Sequence, residues 1–333
     1  MGEKVFGKIQ YGKEVTKGTA VVATAMFPGQ IVVPSDRKVM FPRYATGRKS
    51  GAIASQINQY LVDGATLGME AAVFEKLPLF FSCGLKGNIT ATEVTAGQAD
   101  YLWAFAPTLT AAGTYDALTI EYGDDTEQYE VEFCMFRSIK ISGKVGADEP
   151  VKVEGTFFGR QISDSAFTAA LTPGTLTPMI ANSVKIYIDS TWATLGSTIK
   201  SGLLREYSIE IITGLHPKFM GDGQLYFSTY GEGELACIAD FKFEGNSEAD
   251  AQWDAWRAQT NRAIRLLIEG PQIGSGEKNK LQIDMFGKWE DVHPLDSEEE
   301  GNNLHSAVLN CMDDNQATAH ILDVNVICDS NAI

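Results

Sequence analysis

Short stretches of alternating apolar and polar residues run through almost the whole chain. In "ALTIEYG", "SVKIYID" and "GQLYFSTY" apolar and polar side chains tend to alternate. This period of two residues is that of a strand with one buried face. Glycine-rich turns such as "MGDGQ" and "EGEG" separate many of these stretches. A chain of 333 residues with this pattern is predicted to be mainly β, built from sandwiches or barrels.

Two segments interrupt the strand pattern and predict helices. In "NSEADAQWDAWRAQTN", Ser247 is the expected N-cap, and Trp253 and Trp256 fall on one face that we expect to pack against a sheet. In "FEKLPLFFSCGL", Pro78 suits the first turn and Gly84 suits the end of the helix. Each helix follows a predicted strand, which predicts a sheet with a flanking helix in each case.

The order of elements occurs twice. "VTKGTA" at 15–20 has a counterpart in "ATLGST" at 193–198, and the same offset of 178 places Ile31 over Ile209. Further on, "GATLGMEAAVFEKLPLFFSCGL" corresponds to "GELACIADFKFEGNSEADAQWDAWRAQT", and "LTIEYGDDTEQYEVEF" to "LQIDMFGKWEDVHP". The intervening segment is rich in Ser, Thr, Pro and Gly. The sequence therefore predicts two tandem domains, 1–172 and 181–333, joined by a linker at 173–180.

Composition excludes several classes of function. A formal net charge of −16 argues against a protein that grips nucleic acid, although it is compatible with one that lets nucleic acid pass. "GKEVTKGT" at 12–19 resembles a phosphate loop, but Lys17 precedes Gly18, so we expect a polar turn between strands. The five cysteines lack a C-x-x-C pair and predict buried, reduced thiols in a protein made in the cytosol. No apolar run reaches the length of a membrane span, so no membrane partner is expected.

Several longer stretches, taken in order, are similar to a known family. They are "VTKGTAVVAT", "EKLPLFFSCGL" before "YLWAFAPTLTAAGTYDALTIEYGD", "VKVEGTFFGRQISDSAFTAAL" before "VKIYIDSTWATLGST", and the second helix before "RAIRLLIEG". Over nearly its whole length the chain resembles the tail tube proteins of long non-contractile-tailed bacteriophages (siphophages), in the form with two fused tube domains.

The resemblance implies a structural virion protein. Each domain would be a β-sandwich with a flanking helix, and three copies would form a pseudo-hexameric ring that stacks into a tube. The tube would surround a tape measure protein, be closed by tail terminator or tip proteins, and conduct DNA during ejection without binding it specifically. The protein would be made in the host cytoplasm and reside in the phage tail. No enzymatic activity and no cofactor are implied.

Candidate lumen residues are the polar members of alternating strands, because a barrel wall turns alternate residues inward. Ser208 and Glu210 of "YSIEIITG" come first, followed by Lys242 and Glu244 of "FKFEG". The alternative is that these side chains face solvent on the outside of the molecule.

Two charged segments are candidates for contacts between stacked rings. "RYATGRKSGAIASQINQY" at 43–60 lacks a clear strand pattern and carries Arg43, Arg48 and Lys49. "DVHPLDSEEEGNN" is predicted to be a loop and carries Asp296, Glu298, Glu299 and Glu300. We hypothesise that the basic segment meets the acidic one of an adjacent ring. They could instead be solvated loops. The carboxylates of two acidic runs, "DSEEEGNN" and "CMDDNQ", could hold calcium, although EF-hand spacing is absent.

Two other classes of function stay open at this stage. A carbohydrate-binding or adhesive β-sandwich module would use exposed tryptophans, whereas Trp253 and Trp256 are expected to be buried by helix packing. A β-sandwich glycosidase would need two carboxylates facing each other across a cleft, and no motif points to such a pair.

Overall fold

The computed structural model describes residues 6–50, 54–146, 149–316 and 319–333. Strands make up 49% of the chain and helices 9%, which confirms the predicted mainly β fold of the sandwich class. All five cysteines are buried, as expected from their spacing. The "GKEVTKGT" segment leads from the first strand into a turn at Gly18, also as predicted.

The strands and helices divide into two successive halves of the chain. The first half contains β1 (Lys8–Lys13), β2 (Ala25–Met26), β3 (Gln30–Val32), β4 (Arg37–Met40), β5 (Gln56–Tyr60), β6 (Val62–Met69), α1 (Leu77–Gly84), β7 (Thr92–Glu93), β8 (Tyr101–Phe105), β9 (Leu118–Gly123), β10 (Gln128–Lys144), β11 (Lys152–Gly159) and β12 (Ile162–Asp164). The second half contains β13 (Val184–Asp189), β14 (Leu204–Ile212), β15 (Leu215–Lys218), β16 (Thr229–Glu232), β17 (Ala236–Glu244), α2 (Ser247–Arg257), β18 (Arg262–Gln272), β19 (Lys278–Glu299), β20 (Asn302–Cys311) and β21 (Leu322–Cys328).

Eight antiparallel strands from both halves form one continuous sheet, called the long sheet below. Its order is β3, β6, β11, β10, β14, β17, β20 and β19. The two halves meet where β10 pairs with β14, with Ile139 opposite Ile211 and Ile141 opposite Ile209. All four isoleucines are buried, so the junction is closed by apolar side chains as well as by backbone hydrogen bonds.

A second layer covers the apolar face of the long sheet. The first half contributes β2, β1, β9, β10 and β12, and the second half contributes β13, β18, β19 and β21. Strands β10 and β19 belong to both layers because each is long enough to cross from one layer to the other. Each has a register irregularity within this crossing, between Phe136 and Ser138 in β10 and between Trp289 and Asp291 in β19.

The helices pack where the sequence places them, with one correction. Helix α1 is entirely buried, begins with Pro78 in its first turn and ends at Gly84. The N-cap of α2 is Asn246 rather than Ser247, because the Asn246 side chain accepts hydrogen bonds from the backbone of Glu248 and Ala249. Helix α1 contacts β10 and α2 contacts β19, which are matching strands of the two halves.

The repeated order of elements is visible in the strand pairing, although its details differ from the sequence alignment. Ile31 lies opposite Leu67, and Tyr207 lies opposite Phe241. When the irregularities in β10 and β19 are aligned, Tyr207 is the counterpart of Ile31, two residues before Ile209. The β9–β10 hairpin corresponds to β18 and β19 together, rather than to β19 alone.

Strand pairing also interlocks the two halves outside the long sheet. Strand β8 of the first half pairs with β21 of the second half, and β7 extends the same sheet. Within the predicted linker, Pro178 forms an isolated bridge with Val73. The domain boundaries at 172 and 181 stay a prediction, since the strand pairing crosses them.

Candidate assembly surfaces

One face of the long sheet is polar. Ser208 and Glu210 alternate with buried isoleucines on β14, and Lys242 and Glu244 alternate with buried phenylalanines on β17. All four candidate lumen residues therefore lie on the same face, called the polar face below, and all four are half-buried. Whether this face lines a lumen stays a prediction.

The polar face carries charges of both signs. Register places Lys140 of β10 between Glu154 of β11 and Glu210 of β14. The Nζ atom of Lys242 lies 2.7 Å from a carboxylate oxygen of Glu206. Although the whole chain is acidic, this face does not carry negative charge alone, because lysines alternate with carboxylates across neighbouring strands. Sequence reasoning missed Lys140 and Glu154, since their neighbours are set by pairing between distant segments.

The long sheet has a free edge at each end of its strand order. Among the described strands, β3 pairs only with β6, and the segment 288–299 of β19 pairs only with β20. Although the strands form one continuous network, no pairing joins these two edges in the described part of the chain. Free N–H and C=O groups along such an edge are a template for pairing with another chain.

The two ends of the long sheet carry different connections between its strands. The turns between β10 and β11 and between β19 and β20 lie at one end. The β4–β5 and β15–β16 hairpins leave from the opposite end, since they follow β3 and β14 and precede β6 and β17. The two charged candidate segments are therefore at opposite ends of the sheet.

The acidic candidate segment is a strand hairpin rather than a loop. It contains the second part of β19 and the turn to β20, with the predicted residues Asp296, Glu298, Glu299 and Glu300. The Oε1 atom of Glu299 lies 2.5 Å from Nζ of Lys144, and this hydrogen bond lowers the pKa of Glu299. Arg205 lies 2.9 Å from Glu300. Asp296 and Glu298 are exposed, so these two are the acidic side chains most open to a partner.

The basic candidate segment is part of an exposed hairpin formed by β4 and β5. Residues 56–60 form a strand, contrary to the expectation, and residues 51–53 of the candidate segment lie outside the described residues. The segment 37–60, called the basic arm below, contains five Lys or Arg residues and no Asp or Glu. Arg43, Arg48 and Lys49 are exposed.

The basic arm also exposes apolar side chains, which sequence reasoning missed. Phe41 is 72% exposed and Tyr44 is 62% exposed, and Val39 and Met40 are each 45% exposed. Adjacent exposed apolar side chains of this size mark a site of interaction more often than a simple solvated loop. The sequence "VMFPRY" could have signalled this exposure. Its apolar residues are consecutive instead of alternating, so they cannot all turn to one buried face of a strand.

Helix α2 packs through small residues and a glutamine, with its tryptophans at the margin. Ala249, Gln252 and Ala255 are its buried residues. Trp253 and Trp256 are half-buried against the core, and their rings stack with centroids 4.9 Å apart. Both candidate packing residues therefore contact the core, but at the edge of the interface.

The described residues give no clear signal of chemistry. Among them, no group of three or more His, Cys, Asp or Glu side chains is arranged to hold a metal ion, and the two acidic runs form none. No helix in the described part of the chain has both the length and the apolarity needed to cross a bilayer. No protein-family model matches this chain, and neither does any curated protein sequence.

Proposed function

We propose that the chain is a structural subunit of a siphophage tail tube. Three copies would close into a ring with pseudo-sixfold symmetry, and stacked rings would form the conduit for DNA ejection. The observation that carries the proposal is the long sheet, in which two four-stranded halves are already joined edge to edge and a free edge remains at each end.

The junction inside the chain serves as a template for the junction between chains. Strand β14 pairs with β10 along seven residue pairs, on the edge that faces away from β17. The matching edge of β3, which faces away from β6, is free among the described residues. Pairing of this edge with the free segment 288–299 of another copy would repeat the internal junction. Head-to-tail contacts of this kind generate closed rings when the rotation closes.

In such a ring the polar face would line the bore. Alternating lysines and carboxylates leave little net charge to hold phosphate, because affinity for DNA depends on unpaired Lys and Arg. DNA would therefore pass without specific binding. A tape measure protein inside the bore and terminator or tip proteins at its ends are the further partners of this proposal, and the phage virion is its location.

The proposal is tested by sedimentation velocity and negative-stain microscopy of the purified protein over a range of concentrations. Rings or tubes of uniform bore are the expected result, and the mass of a single ring should correspond to three copies of the chain. Dispersed monomers at every concentration would contradict the proposal, and binding of glycans by those monomers would favour the carbohydrate-binding alternative.

The stacking of rings is tested separately by charge reversal. The double change R48E and K49E is expected to leave rings intact and prevent tubes, because these cations lie at the end of the sheet opposite the acidic hairpin. Adding D296K and E298K to the same chain is expected to restore tubes. Tubes of normal length from the R48E and K49E protein would remove the basic arm from the stacking contact.

A further inference from the structure

The β15–β16 hairpin and the basic arm hold the same position in the two halves. Each follows the first strand of its four-stranded half and precedes the second, so each leaves from the same end of the long sheet. The β15–β16 hairpin is folded against the first half of its own chain. At its base the basic arm is held by a hydrogen bond from the Tyr60 amide to the Leu225 carbonyl oxygen, but its side chains Val39, Met40, Phe41 and Tyr44 are exposed.

The seat of the β15–β16 hairpin is an aromatic cluster on the first half. Phe227, in the hairpin loop, is fully buried, with its ring centroid 4.9 Å from that of Phe133 and 5.5 Å from that of Phe158. Arg160 donates a hydrogen bond of 2.9 Å from Nε to the carbonyl oxygen of Phe227. The hairpin thus covers the end of β11 and the middle of β10.

The matching place on the second half can be located from strand register. Phe136 pairs with Phe157 just before the irregularity in β10, and Trp289 pairs with Leu309 just before the irregularity in β19. Counting onward from these pairs makes Asn310 the counterpart of Phe158. It also makes Cys311 and Met312 the counterparts of Gly159 and Arg160.

At this place the described residues form an open groove instead of a covered surface. The groove has a volume of about 820 Å³. We call it the end groove, and its lining includes Leu109, Leu235, Cys311, Met312, Glu234 and Asp313. Met312 is 39% exposed, whereas its counterpart Arg160 is buried under the β15–β16 hairpin.

We propose that the end groove receives the base of the basic arm from a second copy of this chain. This inference rests on the proposed ring, in which β3 of one copy lies beside β19 of the next. That pairing would bring the arm to β19 and β20 of the neighbour, as β14 brings the β15–β16 hairpin to β10 and β11. Val39, Met40 and Phe41 would contact the apolar floor, in the place that Phe227 holds in the first half.

Charge distinguishes this occupant from other segments of the chain. The arm holds five of the 27 Lys and Arg residues and no carboxylate, although the whole chain has 43 Asp and Glu residues. Glu234 and Asp313 are exposed at the groove. The basic arm therefore complements the groove in charge as well as in apolar surface. Arg43, Arg48 and Lys49, beyond Phe41, stay free to reach the next ring.

Photo-crosslinking of the assembled protein tests the contact directly. Phe41→p-benzoylphenylalanine is introduced into full-length protein, and copies with normal and heavy nitrogen are mixed before assembly so that crosslinks between copies can be recognised by mass spectrometry. Crosslinks between copies at residues 108–112, 232–236 or 310–313 are expected. Crosslinks in intact rings that map only to other surfaces, such as residues 296–300, would overturn the groove assignment and leave the ring itself standing. A protein that never assembles would refute both.

A charge exchange provides the second test and does not depend on the photoreactive residue. K38E alone and E234K alone are each expected to raise the concentration needed for ring formation about tenfold, and the combined protein is expected to recover. The matched control K278E reverses an exposed lysine outside both surfaces and should leave assembly unchanged. Equal assembly by all four proteins would overturn the proposal. Circular dichroism of each variant at low concentration verifies that the subunit is folded.

Discussion

The β15–β16 hairpin and the basic arm hold matching positions in the two halves, yet among the described residues only the first is anchored in its own chain by fully buried side chains. The β15–β16 hairpin contributes Leu215 and Phe227 to a closed cluster with Leu61, Phe133 and Phe158. The arm instead presents Phe41 and a concentration of positive charge to its surroundings. The two hairpins thus hold the same place in the fold but differ in their contacts. The β15–β16 hairpin packs inside the subunit, whereas the contact of the basic arm with a neighbouring copy is our proposal.

The largest effect is expected from breaking the seated hairpin. Phe227→Ala removes a fully buried ring from the cluster and should lower the free energy of unfolding by about 3–5 kcal/mol. Phe41→Ala, the matched change in the arm, should alter the free energy of unfolding by less than about 0.5 kcal/mol, because the side chain is exposed. Urea denaturation of the isolated subunit measures both. Similar losses in the two variants would show that the arm also has a seat within its own chain.

Two glycine turns give a second comparison of the halves. Gly18 has φ +76° and Gly196 has φ +90°, and a Cβ at either would lie 2.4 Å from an arginine guanidinium atom. The Gly18 amide donates to Glu14 and the Gly196 amide donates to Asp189, so both turns are fixed by a carboxylate. The repeat detected in "GKEVTKGT" and "TWATLGST" therefore has a common backbone conformation behind it.

Alanine at these turns should cost different amounts. Gly18→Ala should lower the free energy of unfolding by about 2–3 kcal/mol, since Arg160 is held by the Gly18 and Phe227 carbonyls and cannot easily move aside. Gly196→Ala should cost about 1–2 kcal/mol, because Arg265 is more exposed. Gly223→Ala, with φ +82° and open space around it, isolates the cost of the backbone. If Gly18→Ala cost no more than this control, Arg160 would not be a constraint on the turn.

These comparisons also show how far sequence reasoning reaches. Local patterns were sufficient for many of the strands, both helices and the repeated turn, because alternation and turn residues act over a few positions. They missed β5 and the part of β19 from 291 to 299, which were expected to be loops. The polar side of β14 could be predicted at Ser208 and Glu210 for the same reason. The residue-by-residue alignment failed at Tyr207, because the segment between the turn glycine and the strand is two residues shorter after Gly196 than after Gly18, and a single offset cannot follow such a difference.

Contacts between distant segments could not be predicted. Phe227 meets Phe133 and Phe158 only because the long sheet brings β14 beside β10. The pairing of Lys144 with Glu299 likewise depends on tertiary structure, so the acidic hairpin looked fully available in the sequence. The end groove combines residues near 110, 234 and 311, and no local signal links these three places.

One carboxyl group in each half gives a third comparison of the halves. Glu14 accepts hydrogen bonds from the Gly18 and Phe133 amides, and burial raises its pKa. Burial also raises the pKa of Asp323 from 3.8 to about 6, and Asp284 lies opposite it in register. The His320 imidazole lies nearby, with its Nδ1 atom 3.8 Å from a carboxylate oxygen of Asp323. Glu14 therefore has compensating donors, whereas Asp323 has few.

The sign of the pH dependence follows from the raised pKa of Asp323. The folded state binds this proton more tightly than the unfolded state, so its contribution is fully present below pH 3.8 and is lost as the pH rises through about 6. Asp323→Asn removes the titration and should increase the free energy of unfolding at pH 8 by about 2 kcal/mol or less, allowing for the partial exposure of the side chain. Glu14→Gln should instead destabilise by about 1–3 kcal/mol, because an amide cannot accept all the bonds that the carboxylate accepts. Urea denaturation at pH 4, 6 and 8 measures both variants. If the Asp323→Asn protein lost stability between pH 4 and 6 as steeply as the parent, another group would be responsible, and this difference between the halves would not rest on Asp323.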